Sequence, residues 1–386
     1  MKILFLNYEY PPLGGGAGNA TEYLLREYAK IPDLEVHLVT SSVDDEYHRL
    51  SVGTGTVTVH SVPIGKNATT LHFQSIIDIL RYSWSGYSFA KKLLTESHFD
   101  AIHAFFSVPC GAQAYFLGKQ FKLSYIVSLR GADVPGFSER FGWIYGILIP
   151  IIQKVWKHAC AVVAVSEGMK WLALTTSPKQ EIKVIYNGVN TEDFFPDVLQ
   201  QPKNKFIITL GATRITTRKG IEYLIQAVAM LLSHYPHISL EIMGDGNDKV
   251  RLETMVRDLC LQDTVKFFGR IPREKTFSYY QKAHIFVLPS MNEGMSNAML
   301  EALASGLPIV ATDTGGSKEL VTDGINGYII KMQSAEDIAE KIKRLIENPA
   351  LRRSMAEASR ARALTMSWKN IADAYHRLYQ QAMKKQ

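Results

Sequence analysis

Two glutamates and two cations in the C-terminal half are the side chains best suited to do chemistry. Glu293 and Glu301 stand in Pro289-Ser-Met-Asn-Glu-Gly-Met-Ser-Asn-Ala-Met-Leu-Glu-Ala-Leu-Ala304. A carboxylate accepts two hydrogen bonds at once, so each can grip a vicinal diol, one on a ribose and one on a sugar. Glu301 lies in an otherwise apolar run, Ala298 to Ala304, where an unpaired carboxylate is costly. That favours a bound partner over a solvated surface group. A buried strand ending at Pro289 and a helix starting near Asn297 set free backbone N–H groups, from about Gly294 through Met295 and Ser296 to Asn297, at the sheet's carboxyl edge. Such a helix start is an anion site suited to a diphosphate. Gly294 lets backbone approach a ligand closely.

Leu210-Gly-Ala-Thr-Arg-Ile-Thr-Thr-Arg-Lys-Gly220 likewise leads from a strand into a helix, which places Arg214 and Lys219 at the same edge. Two cations beside a leaving diphosphate stabilise the charge that grows as a glycosidic bond breaks. Arg218 adjoins the pair and is an alternative to either.

The elements that must hold these residues are short apolar β-rich runs alternating with amphipathic stretches, the pattern of parallel α/β sheets. In the first half the expected strands are Lys2–Asn7, Glu35–Thr40, Val57–Val62, Ala101–Ala104, Tyr125–Leu129 and Ala161–Val165. A second series follows: Phe206–Gly211, Ser239–Gly244, Val265–Gly269, Ile285–Pro289, Pro308–Thr312 and Tyr328–Ile330. Between them the polar segment Phe195–Asn204, with Pro196 and Pro202, marks the boundary, giving domains 1–198 and 199–367. The expected fold class is α/β, two Rossmann-like doubly wound domains facing a central cleft, with ligands at the carboxyl ends of the strands.

At 386 residues, 46% hydrophobic and 21% charged, the chain suits two soluble domains. Its longest uncharged apolar stretch, Phe141 to Gln153, is too short to span a bilayer and contains Pro150. With the first strand beginning at Lys2 and three scattered cysteines read as reduced core thiols, the expected location is cytoplasmic, either free or at the inner face of a membrane. Residues 341–386 hold 11 basic against 3 acidic side chains, more than the whole net charge of +6. That tail suits an anionic surface or a solvated helix face; without a basic groove or aromatic interleaving, nucleic acid is not expected as a partner.

The segment around Glu293 and Glu301 resembles the E-x7-E signature of the retaining GT-B glycosyltransferases of family 4 (glycosyl transferases group 1). Its continuation is similar too, Ser305-Gly-Leu-Pro-Ile-Val-Ala-Thr-Asp-Thr-Gly-Gly316 and Glu319-Leu-Val-Thr-Asp-Gly-Ile-Asn-Gly-Tyr328. The resemblance implies that Glu301 binds the donor ribose and Glu293 the transferred sugar, with Gly294, Met295, Ser296 and Asn297 near the phosphates. It gives Arg214 and Lys219 the charge-stabilising role and has Arg270 and Ile271 frame the base. It also implies that a C-terminal helix beginning near Trp368 returns to the first domain, which then holds 1–198 plus about 368–386.

In the first half, Tyr8-Glu-Tyr-Pro-Pro-Leu-Gly-Gly-Gly-Ala-Gly-Asn-Ala-Thr-Glu22 follows the first strand, with Asn19 and Glu22 expected to cap the next helix. A dinucleotide loop is rejected, because Thr21 stands where its third glycine would be. The resemblance has Gly15 and Gly16 close over the donor phosphates and has His103 line the cleft. Ser128-Leu-Arg-Gly-Ala-Asp133 is similar to the family's His-Gly-x-Asp, but Arg130 replaces the histidine. Arginine cannot serve as a base near neutral pH, yet it can bind a sugar hydroxyl, a phosphate or an anionic acceptor, beside Asp133.

Without a DxD motif no metal site is expected, and no cofactor beyond a UDP- or GDP-sugar donor used as substrate. Retention follows from the resemblance alone, and suggests a front-face route. The aromatic segments Phe73–Leu94 and Trp143–Trp156 could meet a membrane interface or belong to the core. Acceptors could be glycan, lipid-linked or small molecules. The alternative to an enzyme is a non-catalytic nucleotide-sugar sensor or scaffold of the same fold, which Arg130 favours and the four charged donor-side residues oppose.

Overall fold

The computed structural model describes residues 1–44, 46–53, 56–65, 74–137 and 142–384. Phe73 and the side chain of Trp143, which begin the two aromatic segments, lie outside the described residues. The chain divides into two units, Met1–Asn187 with Trp368–Gln386, and Gly188–Ser367.

The first unit is built on β1 (Lys2–Leu6), β2 (Glu35–Ser41), β3 (His48–Val52), β4 (Val57–Val62), β5 (Ala101–Phe105), β6 (Ser124–Ser128), β7 (Ala161–Ala164) and β8 (Ile182–Val184). They lie in the order β3-β4-β2-β1-β5-β6-β7-β8. All neighbours are parallel except β3, which pairs antiparallel with β4 at the edge. Ile3 to Leu6 and the whole of β5 are buried, as central strands covered on both faces must be. The helices are α1 (Gly16–Tyr28), α2 (Ile76–Glu96), α3 (Ala112–Phe121), α4 (Gly142–His158) and α5 (Glu167–Thr176). Ser75 and Asp78 form a reciprocal capping box that fixes the start of α2. The expected cap of α1 is corrected. Gly15 is its N-cap, and Asn19 and Glu22 lie inside the helix, where Glu22 pairs with Arg26 at 2.7 Å.

The second unit's strands are β9 (Phe206–Arg214), β10 (Ile238–Asp245), β11 (Val265–Gly269), β12 (Ile285–Leu288), β13 (Ile309–Thr312) and β14 (Gly327–Ile330). They form one parallel sheet in the order β11-β10-β9-β12-β13-β14. Its helices are α6 (Ile221–Leu232), α7 (Lys249–Asp258), α8 (Arg273–Lys282), α9 (Asn297–Ala304), α10 (Ser317–Leu320), α11 (Ala335–Glu347) and α12 (Pro349–Thr365). The strand order reverses direction between β9 and β12, the switch point at whose carboxyl edge such sheets bind ligands.

The division falls earlier than the proline-bearing segment suggests. Arg360 donates to the carbonyls of Thr191, Phe194 and Ala304, and Phe194 packs edge-on against Tyr280. Residues 188–198 are thereby part of the second unit. The last helix, α13 (Trp368–Met383), belongs to the first: Trp368 stacks on Tyr23 with ring centroids 5.5 Å apart, and Tyr379 hydrogen-bonds His103. All three cysteines are free, but only Cys110 is a core thiol; Cys160 is half-buried and Cys260 exposed.

Candidate active site

In the second unit, the loops after β9 and β12 are stitched together by backbone. The Met291 N–H donates to the Arg218 carbonyl at 2.7 Å. Gly220 turns from that loop into α6 with φ +62°, and a Cβ there would overlap the Pro289 carbonyl oxygen. Only glycine fits both demands. The consequence is that Lys219 and Glu293, far apart in sequence, form an ion pair through Glu293 Oε1. Their side chains are 21% and 16% exposed, so the pair is shielded without being cut off from a ligand. Ser290 Oγ also donates to Oε1, at 3.3 Å. Arg214, the last residue of β9, is exposed at the same edge, and the side chain of Arg218 is exposed beside it.

Gly294 and Met295 lead into α9, whose N-cap is Ser296. Its Oγ accepts from the Met299 N–H at 3.3 Å, so this hydroxyl is occupied by the helix. The first-turn N–H groups of a helix point out of its start, here at Asn297 and Ala298. Gly315 and Gly316 press against this loop from behind. The Gly316 N–H donates to the Gly294 carbonyl at 2.5 Å, and a Cβ on Gly315 would overlap the Glu293 carbonyl oxygen. Glu301, half-buried on α9, accepts from the Tyr280 hydroxyl at 3.1 Å. Arg270 and Ile271 follow β11 at the same carboxyl edge, two strands from β9. The structure therefore gathers Arg214, Lys219, Glu293, Gly294 and the start of α9 at adjacent strand ends. Tyr280 and Gly315 are additions to the sequence reading: a tyrosine inside a helix and one glycine of a pair carry no local signal of their targets.

The first unit treats its expected residues differently. His103 is fully buried, and its Nδ1 and Nε2 bond the Tyr379 hydroxyl and Ser128 Oγ, each at 2.7 Å. Burial, with Arg130 nearby, holds its pKa well below the usual histidine value, so the ring is neutral. The expectation that it lines the cleft is corrected: it ties α13 to β5 and β6. Asp133, too, has its carboxylate engaged within the protein. It is 3% exposed and accepts from Ser107 N, Ser107 Oγ, Arg130 N and Gly131 N at 2.8–3.0 Å. Burial raises its pKa, and the hydrogen bonds from Arg130 N, Ser107 N and Ser107 Oγ oppose the rise. Asp133 thus braces the loops after β5 and β6.

Arg130 is the open group of this unit. Its Nη1 donates to Asn187 Oδ1 at 2.9 Å, and its guanidinium lies 4.8 Å over the Phe105 ring. Its Nε and Nη2 are buried with no hydrogen-bond partner among the described residues. Buried guanidinium donors without protein acceptors are costly, so these two call for a partner, water or ligand. Gly15 precedes α1, and a Cβ there would meet nothing within 4 Å; Gly16 is the first residue of that helix.

Two parallel Rossmann-like sheets, the second with cations and carboxylates at its carboxyl edge, define a GT-B glycosyltransferase. Sucrose-phosphate synthase from Thermosynechococcus elongatus shares the fold over 100% of both chains, with a TM-score of 0.84 and 22% identity. Anabaena HepE, solved in complex with UDP-glucose, matches 99% of this chain and 100% of its own, with a TM-score of 0.75 and 18% identity. In sequence, an uncharacterized glycosyltransferase of Methanocaldococcus jannaschii is 25% identical over 383 residues, 99% of this chain and 98% of the relative. The family described as Glycosyltransferase Family 4 matches residues 14–193, and that described as Glycosyl transferases group 1 matches residues 190–362. The chain belongs to this family of glycosyltransferases. Among the described residues no helix is long and apolar enough to cross a membrane.

Proposed function

We propose that the chain moves a hexose from a nucleotide-sugar donor to an acceptor hydroxyl with retention, in glycan, lipopolysaccharide or glycolipid synthesis. The observation that carries this reading is the shielded Lys219–Glu293 pair beside the start of α9. Lys219 has three donors and gives one to Glu293, which leaves two for the donor's phosphates. Ser290 and Lys219 both use Glu293 Oε1, and Oε2 is then available to a hydroxyl of the transferred sugar. Glu301, held by Tyr280, grips the ribose, and Arg270 with Ile271 frames the base.

In the step itself the acceptor oxygen forms a bond to the anomeric carbon as its bond to the diphosphate oxygen breaks. The acceptor proton passes to the leaving phosphate on the same face. Lys219, Arg214 and the N-terminus of α9 stabilise the charge that develops on that phosphate without a metal ion. Neutral, buried His103 and the bonded carboxylate of Asp133 are not bases for this step, and Arg130 positions substrate through Nε and Nη2.

HepE is solved with UDP-glucose, which makes UDP-sugars the first donors to test, followed by GDP- and ADP-sugars. Thermal shift and slow donor hydrolysis read the outcome. Stabilisation by one nucleotide class together with its hydrolysis supports the reading. Folded protein that responds to none overturns it, and binding without hydrolysis or transfer over a broad acceptor panel favours a sensor.

A further inference from the structure

The aromatic stretches in the first unit are far apart in sequence, yet α2 and α4 wall one cavity, with α3 between them. It measures about 530 Å³, within the roughly 300–1,000 Å³ typical of small-ligand sites. Its walls include Leu80 and Trp84 of α2, Phe116 of α3, and Leu148 and Ile151 of α4. Leu80 is 63% exposed, Trp84 77% and Phe116 57%, a contiguous apolar surface that a free monomer rarely leaves open. A second cavity, sharing Leu80 and Trp84, continues over the other side of α2.

We propose that this slot holds the hydrocarbon chain of a lipid-linked acceptor, an inference that rests on the glycosyltransferase reading and gives its acceptor a chemical class. Two features select an amphiphile. The slot has polarity at one end, where Tyr8 follows β1 and Asp133 follows β6 at the sheet's carboxyl edge; apart from Ser83, Gln113 and the tyrosines Tyr87 and Tyr145, the rest of its lining is apolar side chain. A head group at that edge with a tail running out between the helices matches this gradient. The charge also fits. Neither α3 nor α4 contains an acidic residue, and the exposed Lys119, Lys154 and Lys157 near their C-terminal ends complement the anionic head groups of a lipid surface. The same loop residue, Asp133, both lines the slot and orders the backbone of Arg130, so chain and head group would be placed by one brace.

The test is a titration of the full chain with n-alkyl maltosides of six to twelve carbons, each below its micelle-forming concentration, with maltose as the chainless control. Affinity is expected to rise by up to about fourfold per methylene, the factor for burying a CH₂. Leu80→Asp and Phe116→Asp change exposed positions and leave the fold intact, as a thermal melt checks. Each should weaken the dodecyl compound at least tenfold while leaving UDP-glucose binding unchanged. Affinity independent of chain length, or a chain-length dependence that survives both substitutions, overturns the proposal. So does self-association of the chain that Leu80→Asp abolishes without any chain-length dependence, since a second copy would then cover the face. Chain-length-dependent binding in a protein that binds no nucleotide sugar overturns the donor reading instead, and with it the slot's acceptor role.

Discussion

The Lys219 ammonium and the Glu293 carboxylate, 74 residues apart in sequence, meet in one shielded ion pair at the ends of neighbouring strands. A pair in this setting has two jobs. It fixes the rotamer of each long side chain before substrate arrives, and it keeps a cation in a partly desolvated place where phosphate can use it.

Replacing Lys219 with alanine removes a charge aimed at the leaving group and strands Glu293. Turnover should fall about 10²- to 10³-fold, the usual cost of losing one such donor. The loss should appear mainly in kcat, because the charge that Lys219 meets is largest in the transition state. A change confined to KM would mean that Lys219 only binds.

Gly315 has φ +41° and no room for a Cβ against the Glu293 carbonyl. Gly315→Ala should therefore displace the Glu293 loop, cost on the order of 1–3 kcal/mol in stability and weaken donor affinity at least tenfold. Gly146→Ala, at an exposed position of α4 where a Cβ meets nothing within 4 Å, should leave donor affinity unchanged. Urea melts and donor titrations of the two variants make the comparison.

Arg130→Met retains an apolar stem over Phe105 but deletes the two unpartnered buried donors. Stability should be unchanged or raised, since unsatisfied buried donors cost about 1–3 kcal/mol. Transfer should fall at least tenfold. A variant that is both less stable and fully active would assign Arg130 to structure alone.

His284 should make the second unit sensitive to acid. Its Nδ1 accepts the Ile207 N–H at 3.0 Å, which requires a neutral ring. Burial, then Arg352, lowers its pKa to about 4. The unfolded chain takes up this proton near pH 6.5 and the folded chain does not, so stability is full above that value and falls as pH drops towards 4. At pH 5 the loss is on the order of 1–2 kcal/mol. His284→Asn keeps an acceptor near Nδ1 without a titrating proton, and thermal melts from pH 8 to 5 should show a shallower decline. His60, also lowered to about 4 chiefly by burial, acts in the same direction in the first unit.

Much of this was legible in the sequence, for physical reasons that also explain what was not. Strands buried on both faces read as continuous apolar runs, so the central strands of both sheets announce themselves. Edge strand β3, His48–Val52, is antiparallel and largely exposed, and its polar residues carry no such signal. β8 is only three residues long. That Arg214, Lys219 and Glu293 would stand at one sheet edge was readable because they lie within short loops after strands. Tyr379, which binds His103, and Ser107, which binds Asp133, are distant in the chain from the residues they hold, and a single sequence does not show that they would consume them. Tyr280 and Gly315 were hidden for the same reason: each acts on the site across a tertiary contact.

The central claim is that a nucleotide-sugar donor binds the second unit through Glu301, Glu293 and Lys219. Donor affinity measured by calorimetry in the wild-type chain and in Glu301→Ala tests it most directly. The wild type should bind a UDP-, GDP- or ADP-sugar saturably, and the variant should bind it at least tenfold more weakly. Equal affinity in the two folded proteins would contradict the assigned ribose contact, and no binding by the wild type would contradict the claim itself.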